Sequence, residues 1–418
     1  MTQQPIPSSG SALLKEVAGW CQWAIPVGLL AGSASALFLW SLGRITETRG
    51  NHPWLIWLLP LAGFGVGWIY HRVGQKTEGG TNLIIEQIHA PDGGVPARLA
   101  PLVLLGTLIT HLCGGSAGRE GTAVQMGGSI ASVLGRQLKL PADTLRVVLM
   151  AGVAAGFGSI FGTPVAGAIF ALEVITSEHT RYRMLLPLLV ASGVGHLTCV
   201  AWGVEHTVYH VSNSTGTMLS DFIEPLLVIK VVIAAVFFGC TSRVFTALSH
   251  GLSDAFKRFV PYPPLRPVIG GIMVIALFCF VGTRDYLGLG VSSNEPSAIT
   301  LLSSFEAGGA GTWSWAWKLI FTVVTVASGF KGGEVTPLFF IGATLGHTLA
   351  LLLGAPVDLL AGLGLIAVFA GATKTPLACT LLGIELFGAH YALYFALACW
   401  LAQRCSGSAT LYKRIART

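Results

Sequence analysis

The chain has 418 residues and a formal net charge of +6, with only 11% charged side chains against 53% hydrophobic ones. A soluble domain carries about 25% charged residues, so this composition, with a mean hydropathy of +0.70, excludes an ordinary water-soluble globule and makes lipid the main solvent. No basic, aromatic-interleaved patch is present, which excludes a nucleic-acid partner.

Charge placement is more informative than the sum. No Lys or Arg falls between Arg183 and Lys230, or between Arg284 and Lys318. Basic residues cluster instead at Arg136, Lys139 and Arg146, at Arg181 and Arg183, at Lys257, Arg258 and Arg266, and at Lys413, Arg414 and Arg417. The positive-inside rule puts the clusters in the cytoplasm and the two basic-free loops outside, as in a multi-pass membrane protein. The first 18 residues are largely polar and lack the basic-then-apolar order of a cleaved leader. Eight cysteines (21, 113, 199, 240, 279, 379, 399 and 405) show no CxxC or Cys/His ligand spacing. They read as small buried apolar residues, and no metal or cofactor is expected.

Apolar segments run, in chain order, over 20–42, 53–70, 99–112, 147–175, 184–202, 225–245, 267–281, 319–330, 337–353, 359–372 and 377–402. The pattern predicts an all-α polytopic membrane protein, with one transmembrane domain over 1–418 and halves near 19–205 and 225–418. Several segments are shorter than the roughly 20 residues a helix needs to span the hydrocarbon. Gly and Pro interrupt them at 114–118, 156–164, 332–337 and 371–376. Broken helices expose backbone amides, which survive at membrane depth only inside protein or beside a polar cavity.

The breaks repeat. Gly118-Arg119-Glu120-Gly121-Thr122, with Gly128 eight residues past the acid, is answered by Gly332-Gly333-Glu334-Val335-Thr336, with Gly342 eight past its acid. Thr163-Pro164-Val165-Ala166 leads to Glu173, and Thr375-Pro376-Leu377-Ala378 leads to Glu385, each acid nine residues after its proline. Paired Gly/Pro-broken segments in two halves mark a transporter's midplane site, although glycines also serve close helix packing.

A helix that starts inside the membrane aims unsatisfied N–H groups and partial positive charge at what lies beyond it. Converging starts therefore bind an anion reversibly without a full cation. Glu120 sits at the first start, where its carboxylate can stand in for an anion when ionised and has reason to leave when protonated. Glu334, at the second, would repel an anion unless it is protonated and donates a hydrogen bond, or lies on a proton route; Thr336 adds a hydroxyl. Both acids are functional candidates by their membrane depth. Glu173 and Glu385 read as capping or ion-paired residues. His111 reads as a satisfied helix residue, and Trp313, Trp315 and Trp317 as interfacial anchors.

Gly118-Arg119-Glu120-Gly121 opening a helix, the run from Gly156 through Gly162-Thr163-Pro164 to Phe170-Ala171-Leu172-Glu173, and Tyr412 after Ser406-Gly407-Ser408 resemble the CLC family of chloride channels and exchangers. The resemblance covers nearly the whole chain. It implies a homodimer whose subunits each carry an anion path between two inverted repeats of tilted and broken helices. The departures are specific. Glu78-Gly79-Gly80-Thr81-Asn82 stands where chloride-type members have Gly-Ser-Gly-Ile-Pro, and Gly333-Glu334-Val335-Thr336-Pro337 where they have Gly-x-Phe-x-Pro. Their intracellular proton-transfer glutamate aligns with Val174. These departures resemble the bacterial fluoride/proton antiporter branch.

The resemblance implies Glu120 as the gating, proton-exchanging residue, with Glu334 sharing proton transfer. Anion contacts are implied for Gly118, Arg119, Gly121, Thr122, Val335, Thr336, Tyr412, Gly80, Thr81 and Asn82. Fluoride's tightly held hydration shell suits such short, dense donors. A chloride channel or chloride/proton exchanger is the alternative. An intramembrane enzyme is remote, because HExxH-like or clustered His spacing is missing. With only a short tail after the last apolar segment, no cytoplasmic regulatory domain is expected.

Overall fold

A computed structural model describes residues 10–90, 93–175, 181–212, 224–293, 295 and 297–412. Its helices are α1 (Gly10–Asn51), α2 (Leu59–Val73), α3 (Thr81–His89), α4 (Leu99–Leu112), α5 (Glu120–Gln137), α6 (Ala142–Phe161), α7 (Pro164–Ile175) and α8 (Arg181–Ala201). The second half contributes α9 (Pro225–Phe259), α10 (Leu265–Val281), α11 (Ser314–Ala327), α12 (Val335–Leu353), α13 (Val357–Thr373), α14 (Pro376–Phe387) and α15 (Ala392–Cys405). Among the described residues six helical stretches are long and apolar enough to cross a membrane, while α4, α7, α10, α11, α13 and α14 are shorter. At 1.5 Å per residue α1 is about 63 Å long, about twice the hydrocarbon thickness.

The apolar segments of the sequence correspond to these helices, with two subdivisions. The 147–175 segment breaks at Gly162, whose left-handed φ of +75° ends α6 before Pro164 starts α7. The 377–402 segment breaks at Gly388, at φ +88°. Glycine is the residue that adopts such angles without strain, and proline starts a helix at no hydrogen-bonding loss.

Two halves fold alike and pack head to tail. In the first, α1 packs on α6 and α8, α5 on α6, and α7 on α8; in the second, α9 packs on α13 and α15, α12 on α13, and α14 on α15. Counterparts also meet across the halves, as α2 with α10, α5 with α12 and α7 with α14. The α7/α14 pair shows the inversion directly. Glu173, near the end of α7, accepts bonds from the first amides of α14, Leu377 (3.2 Å) and Ala378 (2.6 Å). Glu385, near the end of α14, accepts from the first amides of α7, Val165 (2.9 Å) and Ala166 (2.8 Å). Only antiparallel neighbours exchange caps in this way. The capping role expected of both acids is therefore correct, and each caps the other half. Glu385→Ala strips two helix-start amides of their acceptor and is expected to lower stability by about 1–2 kcal/mol, read as a lower unfolding midpoint in detergent.

The repeat register differs by one residue from the one read in the sequence. Gly118 and Gly333 donate to each other's carbonyls, at 2.6 and 2.8 Å, across an antiparallel bridge. The equivalent glycines deeper in the helices are Gly127 and Gly342. A Cβ on Gly127 would lie 2.1 Å from the Gly152 carbonyl oxygen of α6, and one on Gly342 would lie 2.1 Å from that of Gly364 on α13. Glu120 is thus the counterpart of Val335, and Glu334 that of Arg119. The two acids are neighbours in motif, not symmetry mates, because hydrogen-bond pairing rather than residue identity sets the register.

Candidate anion site at the crossing helix starts

The Gly118–Gly333 bridge holds the starts of α5 and α12 face to face with no side chain between them. A Cβ on Gly333 would lie 2.7 Å from the Gly121 nitrogen, so glycine is what lets the two backbones touch. Glu120, the first residue of α5, is fully buried. One of its carboxylate oxygens accepts from the Thr336 amide at 3.0 Å and the Arg119 amide at 3.1 Å. The other accepts from the Thr336 hydroxyl, and Arg119 Nε lies 3.5 Å from it. A carboxylate therefore occupies the amide-and-hydroxyl cradle at the start of α12, where positive partial charge is greatest. Whatever displaces it must be an anion or must follow its protonation.

The remaining sequence candidates are distributed around this core. Glu334 is the half-buried residue immediately before α12 and makes no side-chain cap there. Val335, its successor, is buried. The Thr122 hydroxyl lies 2.7 Å from that of Thr107, which ties α5 to α4. Gly80, at φ +51°, precedes the third helix start, Thr81 and Asn82 being the first residues of α3. That start meets α5 at Gln125, whose side-chain nitrogen donates to the Thr81 hydroxyl at 3.4 Å. Tyr412 places its ring edge-on against Phe170, 6.2 Å between centroids.

Two arrangements gave no signal in the sequence: the stacking of Phe170 on Phe369 and the anchoring of the tail by Lys374. Phe170 stacks on Phe369 at 5.9 Å, and Phe369 meets Phe339 at 5.5 Å, so an aromatic chain connects Tyr412 to α12 one turn past Thr336. Lys374, in a left-handed conformation at φ +63°, donates to the Ser406 hydroxyl at 2.5 Å and the Gly407 carbonyl at 2.7 Å. With the Leu411 amide on the Ala372 carbonyl at 3.0 Å, it lashes the tail to the end of α13 and so places Tyr412. Lys374→Met, which keeps length but removes the donors, is expected to weaken anion affinity about tenfold, measured by calorimetric titration, while Phe170 and Tyr412 themselves stay intact.

His111 departs from expectation. It is fully buried, yet neither ring nitrogen bonds any protein group. Close to it, Lys318 is buried without exposure. Its ammonium donates to the carbonyls of Tyr286 (3.2 Å) and Gly288 (2.8 Å) and lies 5.3 Å from the Phe340 ring centre. The segment between α10 and α11 helps enclose a cavity of about 110 Å³, whose lining includes Arg49, Gly114, Arg284, Asp285, Gly290 and Glu295. Burial raises the Asp285 carboxyl above its ordinary range, opposed by the Thr283 hydroxyl and the Ile299 amide.

Known proteins carry the same architecture. The profile of the voltage gated chloride channel family matches residues 62–407. The chain belongs to this family. Among CLC relatives, a chloride/fluoride channel protein of Pseudomonas syringae pv. tomato (strain ATCC BAA-871 / DC3000) is 47% identical over 406 residues, covering 96% of this chain and 87% of the relative. A crystal structure of a CLC-type fluoride/proton antiporter superposes with a TM-score of 0.87 at 33% identity, covering 95% of this chain and 97% of the other. A slow cyanobacterial Cl-/H+ antiporter superposes at 0.78 with 18% identity, over 93% and 94% of the two chains, which shows a shared fold. This CLC chain is accordingly a membrane protein of an ion-transporting family, built on inverted repeats.

Proposed function

We propose that the protein is a proton-coupled antiporter that exports fluoride from a bacterial cytoplasm across the inner membrane in exchange for protons, working as a homodimer with one pathway per subunit. The observation that carries this reading is the Glu120 carboxylate bedded on the Thr336 amide and hydroxyl. Ionised, it fills the cradle; protonated, it loses most of its attraction to helix-start donors, and an incoming anion takes its place. Each exchange then moves an anion one way and leaves a proton bound at Glu120, available for the other. Support for fluoride comes from the 33%-identical fluoride/proton antiporter and from the donors themselves. Short amide and hydroxyl contacts replace a tightly held hydration shell better than a wide, apolar cradle does.

Glu334, beside the cradle but not in it, is proposed to act protonated, as a donor to the anion or a stage of the proton route. Arg119 holds Glu120 on its outward face. Tyr412, Phe170 and the α3 start (Gly80, Thr81 and Asn82) are proposed to bound the path on the cytoplasmic side. The single transmembrane domain, with halves near 19–205 and 225–418, is proposed as the whole transport unit.

The test is ion-driven proton movement in vesicles reconstituted with the full chain. A fluoride gradient is expected to drive protons uphill, with an equal chloride gradient at least about tenfold less effective. Equal coupling by chloride would favour a chloride/proton exchanger instead.

A further inference from the structure

Beyond the cradle, the fold holds a second constellation suited to an anion. His111 lies in the last turn of α4, just before the glycine break that leads to Glu120, and its imidazole is sealed from solvent with both nitrogens unbonded by protein. Leaving buried polar atoms unpaired is unfavourable, so such a ring normally faces water or a ligand. The Gly114 amide donates to the His111 carbonyl at 3.2 Å and the Gly114 carbonyl accepts from the Gly288 amide at 3.3 Å, which brings the end of α4 to the backbone that Lys318 and Arg49 contact. Lys318 uses two of its three N–H donors on carbonyls, and among the described residues no carboxylate pairs with it or with Arg49 within 4 Å. The Arg49 guanidinium rests on the Gly288 backbone, and the Lys318 ammonium would lie 3.3 Å from a Cβ on Gly290. Gly290 and Arg49 both line the 110 Å³ cavity.

The geometry points to a second binding site for a small monovalent anion, formed by His111, Lys318 and Arg49, between this outer cavity and the Glu120 carboxylate. It rests on the transport reading only for its role, not for its existence. A buried cluster of positive groups with spare N–H donors repels cations and hydronium and favours an anion that accepts hydrogen bonds. Arg119 Nε lies 3.5 Å from the Glu120 carboxylate. An anion held here weighs against the ionised form of Glu120 by like-charge repulsion, so the outer site biases the gate toward its protonated, displaced state.

The experiment is isothermal titration of fluoride into the purified full-length protein, as wild type, His111→Leu, His111→Gln and Arg49→Gln. Wild type is expected to show one more anion per chain than His111→Leu, or a weak component whose affinity falls about tenfold in that variant. His111→Gln, which keeps a donor, is expected to retain it, and Arg49→Gln to weaken it about threefold. If His111→Leu fails to fold, Arg49→Gln decides, since Arg49 lies at the cavity edge. Superimposable isotherms for wild type and the folded variants would overturn the site. Proton flux measured in the same preparations separates the two claims. Binding lost in His111→Leu with no fluoride-driven flux in wild type keeps the site and removes the antiport reading; flux with unchanged isotherms does the reverse.

Discussion

Vesicles carrying Glu120→Gln are expected to lose fluoride-driven proton uptake by about 100-fold or more, to the leak of empty vesicles, while fluoride still moves down its gradient. Glutamine matches glutamate in shape but does not titrate. Its amide nitrogen would also oppose the donors that Glu120 now satisfies, namely the Thr336 amide and hydroxyl and the Arg119 amide. The side chain is therefore expected to leave the cradle permanently and hold the path open to the anion alone. Thr336→Val provides a graded comparison. It deletes the hydroxyl bond but keeps the amide bond, so coupling should persist with fluoride affinity reduced about tenfold. A Glu120→Gln protein that still pumped protons at the wild-type rate would mean that the coupling proton travels elsewhere.

Gly342→Ala is expected to be among the most damaging small substitutions in the helical core, at about 3 kcal/mol or more of destabilisation. In an open helix interior the same change stabilises by about 0.5–1 kcal/mol, because alanine has less backbone entropy to lose. Here the new methyl carbon would lie 2.1 Å from the Gly364 carbonyl oxygen, a backbone atom that moves only if α12 and α13 part. The steric effect exceeds the entropic one several-fold. Parting those helices also shifts the α12 start, so fluoride binding should weaken together with the unfolding midpoint. Gly65→Ala on α2, where nothing lies within 4 Å of the added carbon, is the control and should be neutral or slightly stabilising. Equal midpoints for the two variants would show that the crossing is looser than its backbone distances imply.

The chemistry of the cradle was legible because it depends on local order. A Gly-Arg-Glu-Gly run opening a helix and a Glu-Val-Thr-Pro run opening another announce helix starts, and both exist, at Glu120 and Val335. The acids after the two prolines were legible as caps for the same reason. Three features were not. Equating Glu120 with Glu334 matched letters, whereas the Gly118–Gly333 bridge aligns Glu120 with Val335. His111 read as an ordinary residue of an apolar helix, since nothing in one helix's sequence reports whether neighbours will satisfy a ring nitrogen. Lys374 lies in a motif read for its proline and glutamate, and its contacts with Ser406 and Gly407 span a sequence distance that no periodicity conveys.

By itself, then, the sequence determined the solvent, the helical class, the places where helices break and the acid that stands at the first of those helix starts. Each of these follows from hydropathy or from the backbone preferences of glycine and proline over a few residues. Only the tertiary structure decided which break faces which, in what register, and which cations surround His111. Those outcomes depend on the closest approach of two backbones and on electrostatic groups brought together from α1, α4 and α11, quantities that come into being only when distant segments pack.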